Sequence, residues 1–346
     1  MSVALPKIRF RDSQIEMSHG AGGKASRRLV EGLFAPLLFG ISPEPLGDAA
    51  HLSINGTRIA ITTDSFVVKP LSFPGGSIGE LAVNGTVNDL AVSGAKAEAL
   101  VVTYVLEAGL PTQVLEAEVR AMSKAATSAG VVISGGDTKV VEHGKADGMY
   151  VTTAGIGRLI SGITVSAATV RPGDKVLISG PLGDHGITVL LARGELDLEG
   201  EISSDTRSVL PLIEALAEKA GPGIRWMRDP TRGGLATSLN ELARDSQTSV
   251  LLFEERIPVR DAVRGACELL GLDPLHIANE GQFVLIIAPE YADLALEILQ
   301  RTPGGECAAC IGEIREQPTA TVVGTTLYGG TRVIDMLVGD PLPRIC

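Results

Sequence analysis

A chain of 346 residues with a formal net charge of −11, 45% hydrophobic residues and 21% charged residues is too long for one ordinary hydrophobic core and too apolar to be disordered. Its acidic balance leaves no basic footprint for nucleic-acid phosphates or anionic lipid, which argues against both as partners. No run reaches the ~18 apolar residues of a membrane span. The opening MSVALPKIRFRDSQIEMSHG lacks an apolar signal-peptide region, and four scattered cysteines (Cys267, Cys307, Cys310, Cys346) make no disulfide framework, so a reducing cytoplasm is the expected compartment.

With 41 glycines and 3% aromatics among many Ala, Val and Ile, the composition points to α/β packing. In chain order, EMSHGAGGKASRRLVEGLF couples a glycine loop to an amphipathic helix from about Ser26 to Phe39. RIAITTDSFVVKP holds a buried strand, Ile59 to Thr63, ending at Asp64. A helix over Ile78 to Ser93, the strand EALVVTYVLE, a helix from Pro111 to Ala129, the strand VVISGGDT and strands around MYVTTAGIGRLI complete a first α/β domain. The turn residues of TVRPGDKVLISGPLG open a second domain near residue 165. Its predicted helices are Gly183 to Arg193, Asp205 to Lys219, Gly233 to Arg244 and Val259 to Leu270, and its strands Val250 to Phe253 and Gln282 to Ile287. From Gly329, GGTRVIDMLVGDPLPRIC brackets one short apolar run with glycines and prolines, the pattern of a mobile tail. The expected organisation is 1–165, 166–328 and a flexible tail, 329–346, that carries Cys346.

The helix GSIGELAVNGTVNDLAVSGA is apolar nearly all round, as a buried helix is, yet Glu80, Asn84 and Asn88 recur every four residues as one polar stripe. Each such group buried without a partner costs about 1–3 kcal/mol. The stripe must therefore face a ligand, a metal or another polar network, one that joins helices or subunits included. Asp48 in a glycine-bracketed turn, Asp64 at a strand end, Asp89 beside the stripe and Asp137 in SGGDT, just past another strand, stand where α/β folds collect ligands. Carboxylates without histidine or thiol partners suit Mg²⁺, and amides of the HGAGGK loop, with Gly22 and Gly23, suit phosphate, so a Mg·nucleotide site is expected. Neither a P-loop nor a dinucleotide fingerprint is present. Lys139 in GGDTKVV and Glu280 in HIANEGQFVL are charges within apolar stretches, either a base or one side of an ion pair. RDPTRGGL reads as an anion-favouring helix start. Cys307 and Cys310 form CAAC without a second pair to complete four metal ligands, and read as ordinary thiols.

Taken together, ELAVNGTVNDLAVSGA, GGDTK, RDPTRGGL and ANEG resemble the superfamily of aminoimidazole ribonucleotide (AIR) synthetase and selenophosphate synthetase over nearly the whole chain and in order. The HGAGGK start, ANEG and the closing PRIC resemble, within it, the HypE family of hydrogenase-maturation carbamoyl dehydratases. Selenophosphate synthetases carry a catalytic Cys or selenocysteine in the N-terminal glycine-rich segment, whereas this chain has no cysteine before Cys267, which speaks against that branch. The resemblance implies an α/β (α+β) two-domain PurM-like, AIR synthetase-like fold. Its N-terminal domain would form a dimeric β-barrel in a homodimer, and its C-terminal domain an α/β sandwich. Asp48, Asp64, Asp89 and Asp137 would be the Mg²⁺ and ATP carboxylates, with Asn84, Asn88, Gly22 and Gly23 lining the nucleotide. Lys139 and Glu280 fall where the family acts on substrate. A HypF carbamoyltransferase would load Cys346, ATP-dependent dehydration would turn the carbamoyl group into a thiocyanate, and a HypC–HypD complex would receive the nitrile as the cyanide ligand of a [NiFe] hydrogenase iron. The rival readings are an ATP-dependent synthetase or kinase of the same superfamily acting on a free small molecule, and a non-catalytic assembly scaffold.

Overall fold

The computed structural model describes residues 9–38, 46–194, 201–326, 329–339, 342 and 344–346. The first domain runs α1 (Lys24–Leu29), α2 (Ala35–Leu38), β1 (Ala50–Ile54), β2 (Thr57–Phe66), β3 (Ser72–Phe73), β4 (Gly76–Ser77), α3 (Ile78–Val92), β5 (Ala95–Glu107), α4 (Thr112–Ala129), β6 (Val132–Val141) and β7 (Met149–Leu159). Five strands form one sheet in the order β1-β2-β7-β5-β6, antiparallel except for the β5–β6 pair, which α4 connects. Period-two alternation decides which face is covered. Along β7, Met149, Val151, Thr153, Gly155 and Gly157 are buried, while Ile156 and Arg158 are exposed.

The buried helix α3 lies on β2, β5 and β7, beside α4 and against α6 of the second domain. Helix α4 approaches so closely that a Cβ on Gly79 would stand 2.2 Å from the Glu118 carbonyl oxygen, and the buried Glu118 carboxylate accepts the Gly79 N–H at 3.0 Å. The polar stripe divides in two. Asn88 Nδ2 donates to the Arg207 and Glu280 carbonyls (2.9 and 3.2 Å) and its Oδ1 accepts from Val209 N (2.8 Å), so this amide joins the two domains. Asn84 reaches Thr206 Oγ1 at 3.5 Å. Asn88→Ala would orphan three backbone groups at the domain joint. The expected cost is about 3 kcal/mol, read as a lower urea midpoint than wild type.

The second domain contains β8 (Lys175–Ile178), α5 (Asp184–Ala192), α6 (Leu210–Ala220), β9 (Ile224–Arg228), α7 (Gly234–Ser246), β10 (Ser249–Phe253), α8 (Asp261–Leu270), β11 (Val284–Ile287), α9 (Pro289–Arg301), β12 (Ala309–Arg315), β13 (Thr321–Thr325) and β14 (Thr331–Val333). Its sheet runs β14-β13-β10-β12-β8-β11-β9. Both faces are covered. Leu177, Leu285 and Ile287 join α6 and α9 in one core with the first domain, while Val176, Ile178, Val284 and Ile286 join α7 in another. That explains why β11 is apolar at every position.

Where a flexible arm is expected, the structure seats the tail. Strand β14 pairs with β13, Lys24 N and Ala25 N donate to the Leu337 and Val338 carbonyls (2.9 and 3.3 Å), and Val67 N and Lys69 N donate to those of Cys346 and Arg344 (3.0 and 3.2 Å). Ile334, Met336, Leu342 and Ile345 are the physical reason, since all four side chains are buried. Phe39, Pro341 and Pro343 lie outside the described residues.

Candidate active site

Three carboxylates converge where the domains meet. Asp48 precedes β1, Asp89 sits in the last turn of α3, and Asp229 follows β9 directly; their ligand oxygens all lie within 4.8 Å of one another. Thr62 on β2 ties two of them, its hydroxyl lying 2.9 Å from Asp89 Oδ2 and 2.7 Å from the Asp48 carbonyl. Arg228 braces the cluster from behind, bonding Asp48 Oδ2 (3.2 Å), the Leu46 carbonyl (3.1 Å) and Glu241. Burial would weaken that guanidinium, but Asp48, Glu241 and Asp229 hold its pKa above the usual value. Asp64, on β2, faces Arg232 at 3.8 Å.

Burial pushes all four aspartates upward, Asp89 and Asp229 well above the ordinary carboxylate range. Repulsion from Asp229, Asp48 and Asp64 adds to the shift of Asp89, and repulsion from Asp48 and Asp64 to that of Asp229. Such an all-oxygen set fits a hard divalent cation, whose charge would reverse the repulsion. Glu280 stands beside this cluster. It is 3% exposed, its Oε1 has no hydrogen-bond partner, and burial followed by Asp64, Asp229 and Asp205 drives its pKa well up. Its backbone is fixed by Asp205, which accepts from the N–H groups of Glu280 and Gly281 (both 3.1 Å).

Of the residues expected from sequence, Asp48, Asp64, Asp89 and Glu280 come together, and Asp137 and Lys139 stand apart. Strand β6 continues to Val141 instead of ending before Asp137, which puts both residues mid-strand at the sheet edge, 60% and 66% exposed and paired to each other at 2.5 Å. Three strand spacings, roughly 14 Å, separate β2 from β6. Asn88 faces the domain joint rather than an open ligand cavity. Gly22 and Gly23 serve close approach. A Cβ on Gly22, whose φ is +77°, would stand 2.7 Å from Arg232 Cβ, and one on Gly23 would stand 2.3 Å from the Leu337 carbonyl oxygen. Tail carbonyls already take the first amides of α1. Cys346 is half-buried, its carbonyl bonded to Val67, three residues beyond Asp64. Asp229 and its brace Arg228 belong to the candidate carboxylate cluster but are missing from the expected metal set. RDPTRGGL marked the place, and only the unpredicted strand β9 puts Asp229 at a strand end beside Asp48 and Asp89.

The fold and this carboxylate site define a member of the AIR synthase related proteins. Residues 46–159 match the family model of their N-terminal domain and residues 171–325 that of their C-terminal domain. A carbamoyl dehydratase HypE of Bradyrhizobium diazoefficiens is 47% identical over 98% of this chain and 98% of its own. Among solved structures, a chain of a HypE–HypF complex superimposes with a TM-score of 0.84 at 44% identity, covering 89% of this chain and 99% of that one. A HypE in complex with ATP does so with a TM-score of 0.80 at 44% identity, covering 96% and 100%. The chain belongs to the carbamoyl dehydratase HypE family.

Proposed function

We propose that the chain dehydrates an S-carbamoyl group on its own Cys346 to a thiocyanate at the expense of ATP, supplying the cyanide ligand of a [NiFe] hydrogenase iron in the cytoplasm. One observation carries this reading: the tail is seated with Cys346 bonded to Val67, beside the strand that presents Asp64 to the carboxylate cluster. The relatives solved with ATP and with HypF support the nucleotide and a HypF-type carbamoyltransferase as the source of the carbamoyl group. A HypC–HypD complex is the proposed acceptor of the nitrile.

The amide oxygen of a thiocarboxamide is a poor leaving group. Transfer of the γ-phosphoryl group to it, with loss of one nitrogen proton, gives ADP and an imidate phosphate; loss of the second nitrogen proton then expels phosphate and leaves S–C≡N. Glu280 suits that proton, because a buried carboxylate with a raised pKa is a strong base once ionised. Asp48, Asp89 and Asp229, with Asp64 nearby, would hold Mg²⁺, which when bound supplies positive charge to the phosphates. Arg232 lies against Asp64 and the Gly20 carbonyl, a position from which it steers anionic phosphate.

A homodimer completes the site in this reading. The sheet face opposite α3 exposes Leu52, Ile54, Ile61, Val101 and Ile156, an apolar surface that closure of two sheets into a barrel would cover. Asp137 and Lys139 on the exposed edge strand then reach the partner's cluster. Lys139→Ala and Glu280→Gln variants should each lose carbamoyl-dependent ATP turnover. Mixed after dissociation and reassociation, they should regain about one quarter of wild-type activity, because half the dimers are hybrids with one intact composite site. A mixture as inactive as its components would place both residues in one protomer's site and overturn this arrangement.

A further inference from the structure

The last three residues lie between the domains with every carbonyl held. Arg344 O accepts from Lys69 N (3.2 Å) and Arg193 Nη2 (2.9 Å), and Cys346 O from Val67 N (3.0 Å), an antiparallel edge in which alternate carbonyls face the first domain. The carbonyl between them, that of Ile345, turns toward the second domain and meets His185 Nε2 at 2.6 Å. His185, in the first turn of α5, is wholly buried, and the Phe73 ring meets its own edge-on at 5.5 Å.

We infer that His185 is a positioning residue, a latch that seats the C-terminal peptide by donating its Nε2–H to the Ile345 carbonyl and thereby fixes Cys346 in the site. The tautomer follows from its neighbours. The Ile345 carbonyl can only accept, so a neutral ring carries its proton on Nε2, and the Ser204 hydroxyl, which accepts from Thr206 N (3.1 Å), donates to His185 Nδ1 (2.8 Å). Burial lowers the pKa of the ring to about 4, which keeps it neutral at physiological pH. The chain Thr206 to Ser204 to His185 to Ile345 transmits the geometry of one second-domain loop to the residue before the thiol. A carbonyl cannot reverse this polarity, so the latch recognises the peptide backbone rather than the identity of residue 345.

The catalytic consequence rests on the reading of Cys346 as the carbamoyl carrier; the docking itself does not. The test is alkylation of the full-length protein by iodoacetamide, with each cysteine followed by peptide mass. His185→Ala should raise the Cys346 rate about tenfold, the worth of one buried hydrogen bond, with the exposed Cys307 and buried Cys267 unchanged. Carbamoyl-dependent ATP turnover should fall in parallel while ATP affinity stays, and His185→Gln, which keeps an N–H donor, should recover most of the protection. An unchanged Cys346 rate would overturn the latch, as would a rise shared with Cys267, which reports general loosening. A measurement on the unsubstituted ring stands beside it: deleting residues 344–346 should shift the ¹⁵N resonance of His185 Nε2, and no shift would contradict the contact. If docking responds but turnover never depended on Cys346, the carrier reading fails and the latch stands.

Discussion

The Cys346→Ala protein is expected to bind ATP as the wild type does and to turn over none of it in response to carbamoyl transfer, a loss of at least about a thousandfold, since tethering the reacting group supplies its effective concentration. The cause is chemical, because the sulfur is the atom that carries the carbon. Replacing a half-buried thiol by a methyl group costs little stability, about 1 kcal/mol or less, so the folded protein is available for the assay. Cys310 lies on β12 and Cys307 two residues before that strand, so neither belongs to the tail segment seated beside β2. Turnover that survives in Cys346→Ala would favour a kinase or synthetase working on a free small molecule.

Asp89→Asn should give the second large effect, in opposite directions on two readouts. The amide keeps the shape of the side chain and the reach to Thr62, and removes a charge that burial and then Asp229, Asp48 and Asp64 oppose. A carboxyl whose folded pKa is raised contributes stability that is present below the ordinary carboxylate range and lost as pH rises through the raised value. Without divalent cation, the variant should therefore melt a few degrees above wild type at about pH 8 and draw level at about pH 4. With Mg²⁺ the order should invert, because the wild type gains stability through three carboxylates and the variant through two. Turnover should drop by about a hundredfold or more as charge stabilisation at the phosphates is lost. A variant less stable than wild type at every pH without cation would mean that Asp89 is a structural hydrogen-bond partner and not a ligand.

Much of the frame was legible because its periodicity was strong. The helix over Ile78–Val92 is apolar all round and is buried as that pattern demands, and the strands of the first domain carry β-branched runs. The misread places have physical causes. SGGDT reads as the end of its strand, yet β6 runs on to Val141, and Gly136, lacking a Cβ, lets the Val102 backbone approach to a distance at which a Cβ would stand 1.8 Å from its carbonyl oxygen. Strand β9 reads IRWMR, too short and too charged to resemble a buried strand, and with it went Asp229. Helix α9 and strands β12 to β14 were also passed over, the last because a short apolar run between glycines and prolines resembles a loose end. A polar stripe on a buried helix announces that partners exist without naming them, and for Asn88 they proved to be the backbone of the other domain. Cys346 was legible only through resemblance, since no pattern in composition marks a terminal thiol as a carrier.

The most direct test is the intact mass of the C-terminal peptide after incubation with a HypF-type transferase, carbamoyl phosphate and ATP. The account predicts a carbamoyl adduct on Cys346 that loses one water when this protein's ATP turnover proceeds, and that persists when Glu280 is replaced by Gln. ATP turnover with Cys346 unmodified, or an adduct that never loses water, would contradict it.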